Sequence, residues 1–137
     1  MTIKKESLQI SSTWSSGTLG QCSAVHDRHD PISAAGVWAD AARLHRPVVH
    51  NDYRELSTRS QYSVGHVDLI RHLVVPVVEG DRVRALLGVG NKPTPYDASD
   101  EHELQLIADD LWRIVMRRRT EAVLAAVKVA AEQANRA

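Results

Sequence analysis

From Ser99 to Ala137 the chain contains neither glycine nor proline. A helix over that whole stretch is roughly 58 Å long at ~1.5 Å per residue. A domain of 137 residues is about 37 Å across, from an expected radius of gyration of ~14 Å. The chain is therefore constrained to one small domain carrying a helix that projects beyond it. Ser99 is placed to cap this helix, with Asp100 and Glu101 in its first turn, where carboxylates meet the positive helix end. Leu104, Ile107, Ala108, Leu111 and Val115 form a core-facing stripe, and Asp109 and Arg113 stand at i, i+4 in the favourable order. Further along, Met116, Thr120, Val123, Val127, Ala130 and Ala134 recur at alternating spacings of four and three. This is the a/d pattern of a coiled coil, and overhanging apolar residues need a partner. The expected organisation is a domain over residues 1–119 and a helical extension over 120–137, joining a homodimer or a fused domain. The plainer alternative is a frayed, alanine-rich tail.

The remaining elements are shorter. "LIRHLVVPVVEGDRVRALLGVGN", Leu69 to Asn91, is two apolar runs around a turn and predicts a β-hairpin. Pro76 cannot donate a ladder hydrogen bond, so its strand is expected to be an edge or to carry a bulge there. Partial alternation over residues 7–16 predicts a strand, and residues 21–35 read as polar and turn-like. "GVWADAARLHR" places Val37, Ala41 and Leu44 at helical spacing and predicts a short helix stopped by Pro47. "PVVHND" follows as a brief strand, and residues 54–66 as a surface loop. The fold class is α/β of the α+β type, an antiparallel sheet with flanking helices.

Charge narrows the function classes. Lys+Arg and Asp+Glu are both 17, a balance that argues against nucleic acid and against a polybasic membrane anchor. The longest apolar stretch, Leu73 to Val78, is too short to span a bilayer. The N-terminus lacks an apolar signal region, and the single cysteine, Cys22, excludes an intrachain disulfide. A cytoplasmic protein is the simplest expectation.

"GVGNKPTPYDASDE", Gly88 to Glu101, has the look of a phosphate cradle but fails both glycine-rich patterns. A Walker loop needs Gly-Lys-Ser/Thr, whereas Gly90 is followed by Asn91 and Lys92 by Pro93, which has no N–H. The third glycine of a dinucleotide fingerprint is replaced by Pro93. His26 and His29 in "HDRHD" lack a second ligand pair for zinc, and His102 lacks the second histidine of a zincin helix. No metal site is expected. No Gly-x-Ser-x-Gly elbow occurs, and Cys22 reads as a small hydrophobe rather than a nucleophile paired with His26. The arginines 117–119 are diluted by acids and read as a solvated helix face. "HNDY", His50 to Tyr53, sets a base, an amide, a carboxylate and a phenol at a strand end. Trp38 on the preceding helix can wall such a site, with His66 and Arg71 at its rim. The competing reading is that Asn51 and Asp52 form a turn and cap the next segment.

The Gly88–Glu101 segment resembles the signature of GAF domains. Asn91-Lys92, an aromatic at Tyr96 and Asp100-Glu101 follow the Asn-Lys…Phe…Asp-Glu pattern of cyclic-nucleotide-regulated GAF domains, with tyrosine in place of phenylalanine. The resemblance implies a structural clasp in which Lys92 pairs with Asp100, with Asn91 and Tyr96 beside it. The segments from Asp27 through Tyr53, "GHVDLIRHLVVPV" and "LLGVGNKP" look like the GAF subgroup of bacterial sensor histidine kinases and cyclases. The resemblance covers about residues 7–119. It further implies an N-terminal helix and first strand that this sequence does not match, so that the sheet is truncated or completed by another chain.

What the resemblance implies is a non-enzymatic sensor of bacterial-type signal transduction. Such a module binds a small molecule over the sheet and passes occupancy along the C-terminal helix to a dimer partner, or to a kinase or cyclase output domain. No cofactor is specified. The alternatives are a structural dimerisation module without ligand and, less favoured, an enzyme like the free methionine sulfoxide reductases, whose chemistry needs a reactive cysteine and a resolving partner.

Overall fold

The computed structural model describes residues 7–9, 29–31, 36–56 and 68–136. The rest of the expected first strand, Cys22, His26, most of the 54–66 loop and His66 lie outside the described residues.

Strand β1 (Ser7–Gln9) pairs antiparallel with β2 (His29–Pro31), Ser7 opposite Pro31. The second strand falls where the sequence reads as turn: pairing to a distant segment outweighs the local turn preference of Asp-Pro. Among the described residues β2 has a single strand neighbour, so Pro31 stands on an edge strand, where a missing N–H is tolerated.

Helix α1 (Asp40–Leu44) follows a 3-10 turn (Val37–Ala39) and ends at His45, whose backbone is left-handed at φ 54. The 3-10 start rotates the apolar face, so Ala39, Ala41 and Ala42 join Val37 in burial and Leu44 is exposed.

Strands β3 (Val48–His50), β4 (His72–Glu79) and β5 (Arg82–Gly90) form an antiparallel sheet in the order β3-β4-β5. Gly80, at φ 63, takes the left-handed conformation in the tight Gly80–Asp81 turn between Glu79 and Arg82. β3 covers β4 only from His72 to Val74. Pro76 therefore lies where β4 has no second strand neighbour among the described residues, and the register shifts next to it, between Val77 and Val78. Its carbonyl accepts from Gln105 Nε2 at 2.9 Å.

The long helix α2 (Ala98–Asn135) is continuous. Its N-cap is Asp97, not Ser99: Asp97 accepts from the N–H groups of Ser99 and Asp100, and the Asp100 side chain accepts from the Asp97 N–H. This reciprocal box satisfies more orphan donors than a single Ser99 hydroxyl. Leu104 and Ala108 are buried and Trp112 half-buried, whereas Ile107, Leu111 and Val115 are exposed. The contact stripe thus runs i, i+4, i+8 and lies to one side of the expected one. Arg113 pairs with Asp110 at 2.6 Å, whereas Asp109 accepts from Gln105 Nε2 at 3.1 Å. From Arg113 to Arg136 every residue is exposed. Among the described residues no helix is long and apolar enough to cross a membrane.

Pleat alternation gives the sheet two differently used faces. Val49, Leu73, Val75 and Val77 pack with Tyr96, Leu104 and Ala108 on the α2 side. Val48 and Val74 pack with Ala41 of α1 on the other side.

Candidate functional site

His50 and His72 are cross-strand partners on β3 and β4, in register two residues from the Val48–Val74 pair and so on the α1 face. Their rings meet edge to face with centroids 5.0 Å apart, and the buried Tyr53 ring lies 5.1 Å from His72. Tyr53 is fixed there because its N–H donates to the Ile70 carbonyl at 2.8 Å. His50 Nε2 stands 3.7 Å from Asp40 of α1, which is itself paired with Arg43. His72 is 3% exposed. Burial foremost, then the neighbouring His50, pushes its pKa down to about 4, with Asp40 opposing. It is neutral at pH 7. His72 was not among the residues singled out from sequence. The available signal was its position: it opens the most apolar strand and, two residues before Val74, shares the α1 face with it.

The other candidates separate from this cluster. Asn51 clamps the Tyr96 backbone: its Nδ2 donates to the Tyr96 carbonyl at 3.0 Å, and the Tyr96 N–H donates to its Oδ1 at 2.7 Å. Asp52 accepts from the Arg54 N–H at 3.2 Å and caps the 3-10 turn Tyr53–Glu55. Arg71 reaches away from the pair to donate to the Lys92 and Pro93 carbonyls at 2.6 and 2.8 Å. Trp38 is half-buried in the turn before α1.

A second constellation gathers at the end of β5. Lys92 Nζ donates to both carboxylate oxygens of Asp100, at 2.7 and 2.6 Å. That bond raises the Lys92 pKa, and together with the Asp97 N–H it lowers that of Asp100. The Tyr96 hydroxyl, the group by which this sequence departs from phenylalanine, accepts from the Lys92 N–H at 3.3 Å. Asn91, left-handed at φ 61, donates to the Asp68 carbonyl and accepts from the Ile70 N–H, both at 2.8 Å. Asn51, Arg71, Asn91 and Lys92 thus bind the starts of β4 and α2 to the ends of β3 and β5. With Lys92 engaged by Asp100 and Pro93 lacking an N–H, the segment is built as a brace and not as a phosphate cradle.

The GAF domain family model matches residues 4–116. The chain belongs to the GAF family. It is also similar to the methyl sulfide methyltransferase-associated sensor of Methanosarcina acetivorans, 36% identical over 122 residues. That alignment covers 87% of this chain and 12% of the relative's length. No solved structure matches. The GAF fold is consistent with small-molecule sensing and signalling, and such domains are typically non-catalytic and coupled to output domains. Among the described residues no three His, Cys, Asp or Glu side chains are grouped to hold a metal ion.

Proposed function

We propose that this GAF domain is a sensor module that binds a small molecule on the α1 face of its sheet and transmits occupancy through α2 to a second copy or an output domain. The observation that carries this reading is the division of labour between the faces. One face holds the root of the long helix. The other carries a cluster of polar rings, the buried His72 and Tyr53 beside the half-buried His50. The brace of Asn51, Arg71, Asn91 and Lys92 joins the strand ends of that cluster to the first turn of α2. Transmission requires that the ligand bind one arrangement of the helix more tightly than another. The relative from Methanosarcina acetivorans is named a sensor, which agrees with this assignment.

Thermal-shift screening against cyclic nucleotides, aromatic acids and haem tests it. A ligand at about a hundred times its dissociation constant adds ~2.7 kcal/mol to stability. A second reading, a dimerisation module without ligand, draws on the exposed run of α2 beyond Trp112. A screen in which nothing shifts the melting temperature favours that reading over the sensor.

A further inference from the structure

Beyond Trp112 the long helix carries an apolar seam and an uneven charge. Met116, Thr120, Val123, Val127, Ala130 and Ala134 share one side of α2, and all are exposed. Thr120 donates its hydroxyl to the Met116 carbonyl at 3.0 Å, so its polar group is satisfied within the helix and its methyl is left for packing. A row of exposed apolar side chains needs a cover, and the symmetry of this row points to one. Read backwards, its spacings are the same. A second copy running antiparallel therefore sets Met116 against Ala134, Thr120 against Ala130 and Val123 against Val127. Each layer then joins a larger residue to a smaller one, or two of middle size, which keeps the helix axes evenly spaced. In a parallel pair Met116 faces Met116 and Ala134 faces Ala134, and the gap tapers along the rod.

Charge decides in the same direction. Between Arg113 and Leu124 lie four arginines and one glutamate; between Ala125 and Arg136 lie one lysine, one arginine and one glutamate. Arg117 and Arg119 flank the seam, the first on Glu121 at 3.0 Å and the second over the Trp112 ring at 5.8 Å. A parallel pair in register brings both arginine runs to one level, where like charges repel. In the antiparallel pair the runs are ~21 Å apart along the axis, at ~1.5 Å per residue, well beyond a screening length of ~8 Å. Arg119 then comes beside Gln133 of the second copy, and Arg117 beside its Ala131.

We infer that α2 pairs with α2 of a second copy in antiparallel order, centred on Ala125, with the two sheets at opposite ends of one rod. This rests on the second-copy arm of the proposed function and gives that partner its orientation.

Disulfide trapping in the full chain tests the order. Cys22→Ala removes the native thiol, and Met116→Cys and Ala134→Cys are each made in that background. The two variants are oxidised alone and as an equimolar mixture. A disulfide needs Cα atoms within about 7 Å, and positions 116 and 134 are ~27 Å apart along one helix. Crosslinked dimer is expected from the mixture and from neither variant alone. Self-crosslinking of Met116→Cys, or a mixture that does not crosslink, overturns the antiparallel order. Gln133→Glu leaves the seam intact and gives Arg119 of the second copy an acid to meet. It is expected to tighten the dimer about threefold by sedimentation equilibrium, the gain of two exposed ion pairs; an unchanged or weakened dimer contradicts the pairing. Self-crosslinking at position 116 leaves the second-copy arm standing with α2 parallel. A chain that stays monomeric at every concentration removes both the order and that arm, and the thermal screen still decides whether the domain binds a ligand.

Discussion

His72 is the residue on which the site's electrostatics turn. Its folded pKa of about 4 lies below the ordinary 6.5, so between those values the unfolded chain binds more protons than the native one. The stability from keeping His72 neutral is complete above pH 6.5 and is lost as pH falls toward 4. Between pH 7.5 and 4.5 its share of that loss is about 2–3 kcal/mol. Urea unfolding at the two pH values checks this, with His72→Phe expected to lose correspondingly less stability on acidification than the wild type. Equal slopes contradict it. The Lys92–Asp100 pair has the opposite acid–base logic. Asp100 is lowered and Lys92 raised, so the pair stabilises throughout the neutral range. Its contribution fades as acid protonates Asp100, and again as alkali neutralises Lys92. Asp100→Asn is expected to lower the melting temperature at pH 7, and the deficit to shrink at the lower pH where acid has protonated the wild-type carboxyl, whose lowered pKa delays that protonation. A deficit that persists at the lower pH places the effect in the capping box instead.

At the scale of elements, the hairpin and the long helix were legible in the sequence because each rests on local chemistry. "EGDR" supplies a glycine for the turn, and the absence of glycine and proline after Pro95 leaves the helix uninterrupted. The face that helix buries was not legible. Ile107 and Leu111 fit an apolar stripe as well as Leu104 and Ala108 do, and only the geometry of β4 and β5 chooses between them. Leu104→Ala is therefore expected to cost about 2–3 kcal/mol as a buried truncation. Ile107→Ala should cost no more than ~0.5 kcal/mol, as an exposed one. Denaturant midpoints at low protein concentration compare them, and equal costs contradict the placement of the stripe. The resemblance to GAF domains implies the Lys92–Asp100 pairing, whose partners lie within a dozen residues, whereas Asn91 bonds Asp68 and Ile70, remote in sequence. Asn51 reads as a site or turn residue and Arg71 as a rim residue because their partners, Tyr96, Lys92 and Pro93, are remote in sequence. Only the folded chain shows that their side chains serve the brace.

For the whole molecule, α2 is the feature that the domain does not explain by itself. From Arg113 onward every described residue of α2 is exposed, yet Val123 and Val127 continue an a/d spacing. The reading of α2 as a transmitting helix predicts a concentration-dependent dimer by sedimentation equilibrium. Val123→Glu with Val127→Glu is expected to leave a monomer, and an unchanged association state removes that part of the proposal. The deeper claim is that the α1 face and the root of α2 are mechanically one unit, joined through Lys92. Amide hydrogen exchange on a Lys92→Met variant measures this directly. The account predicts faster exchange both in the first turns of α2, from Ser99 to Leu104, and across the strand ends that carry His50 and His72. Exchange that rises only beside Lys92, with the histidine strand ends as protected as in the wild type, would contradict it.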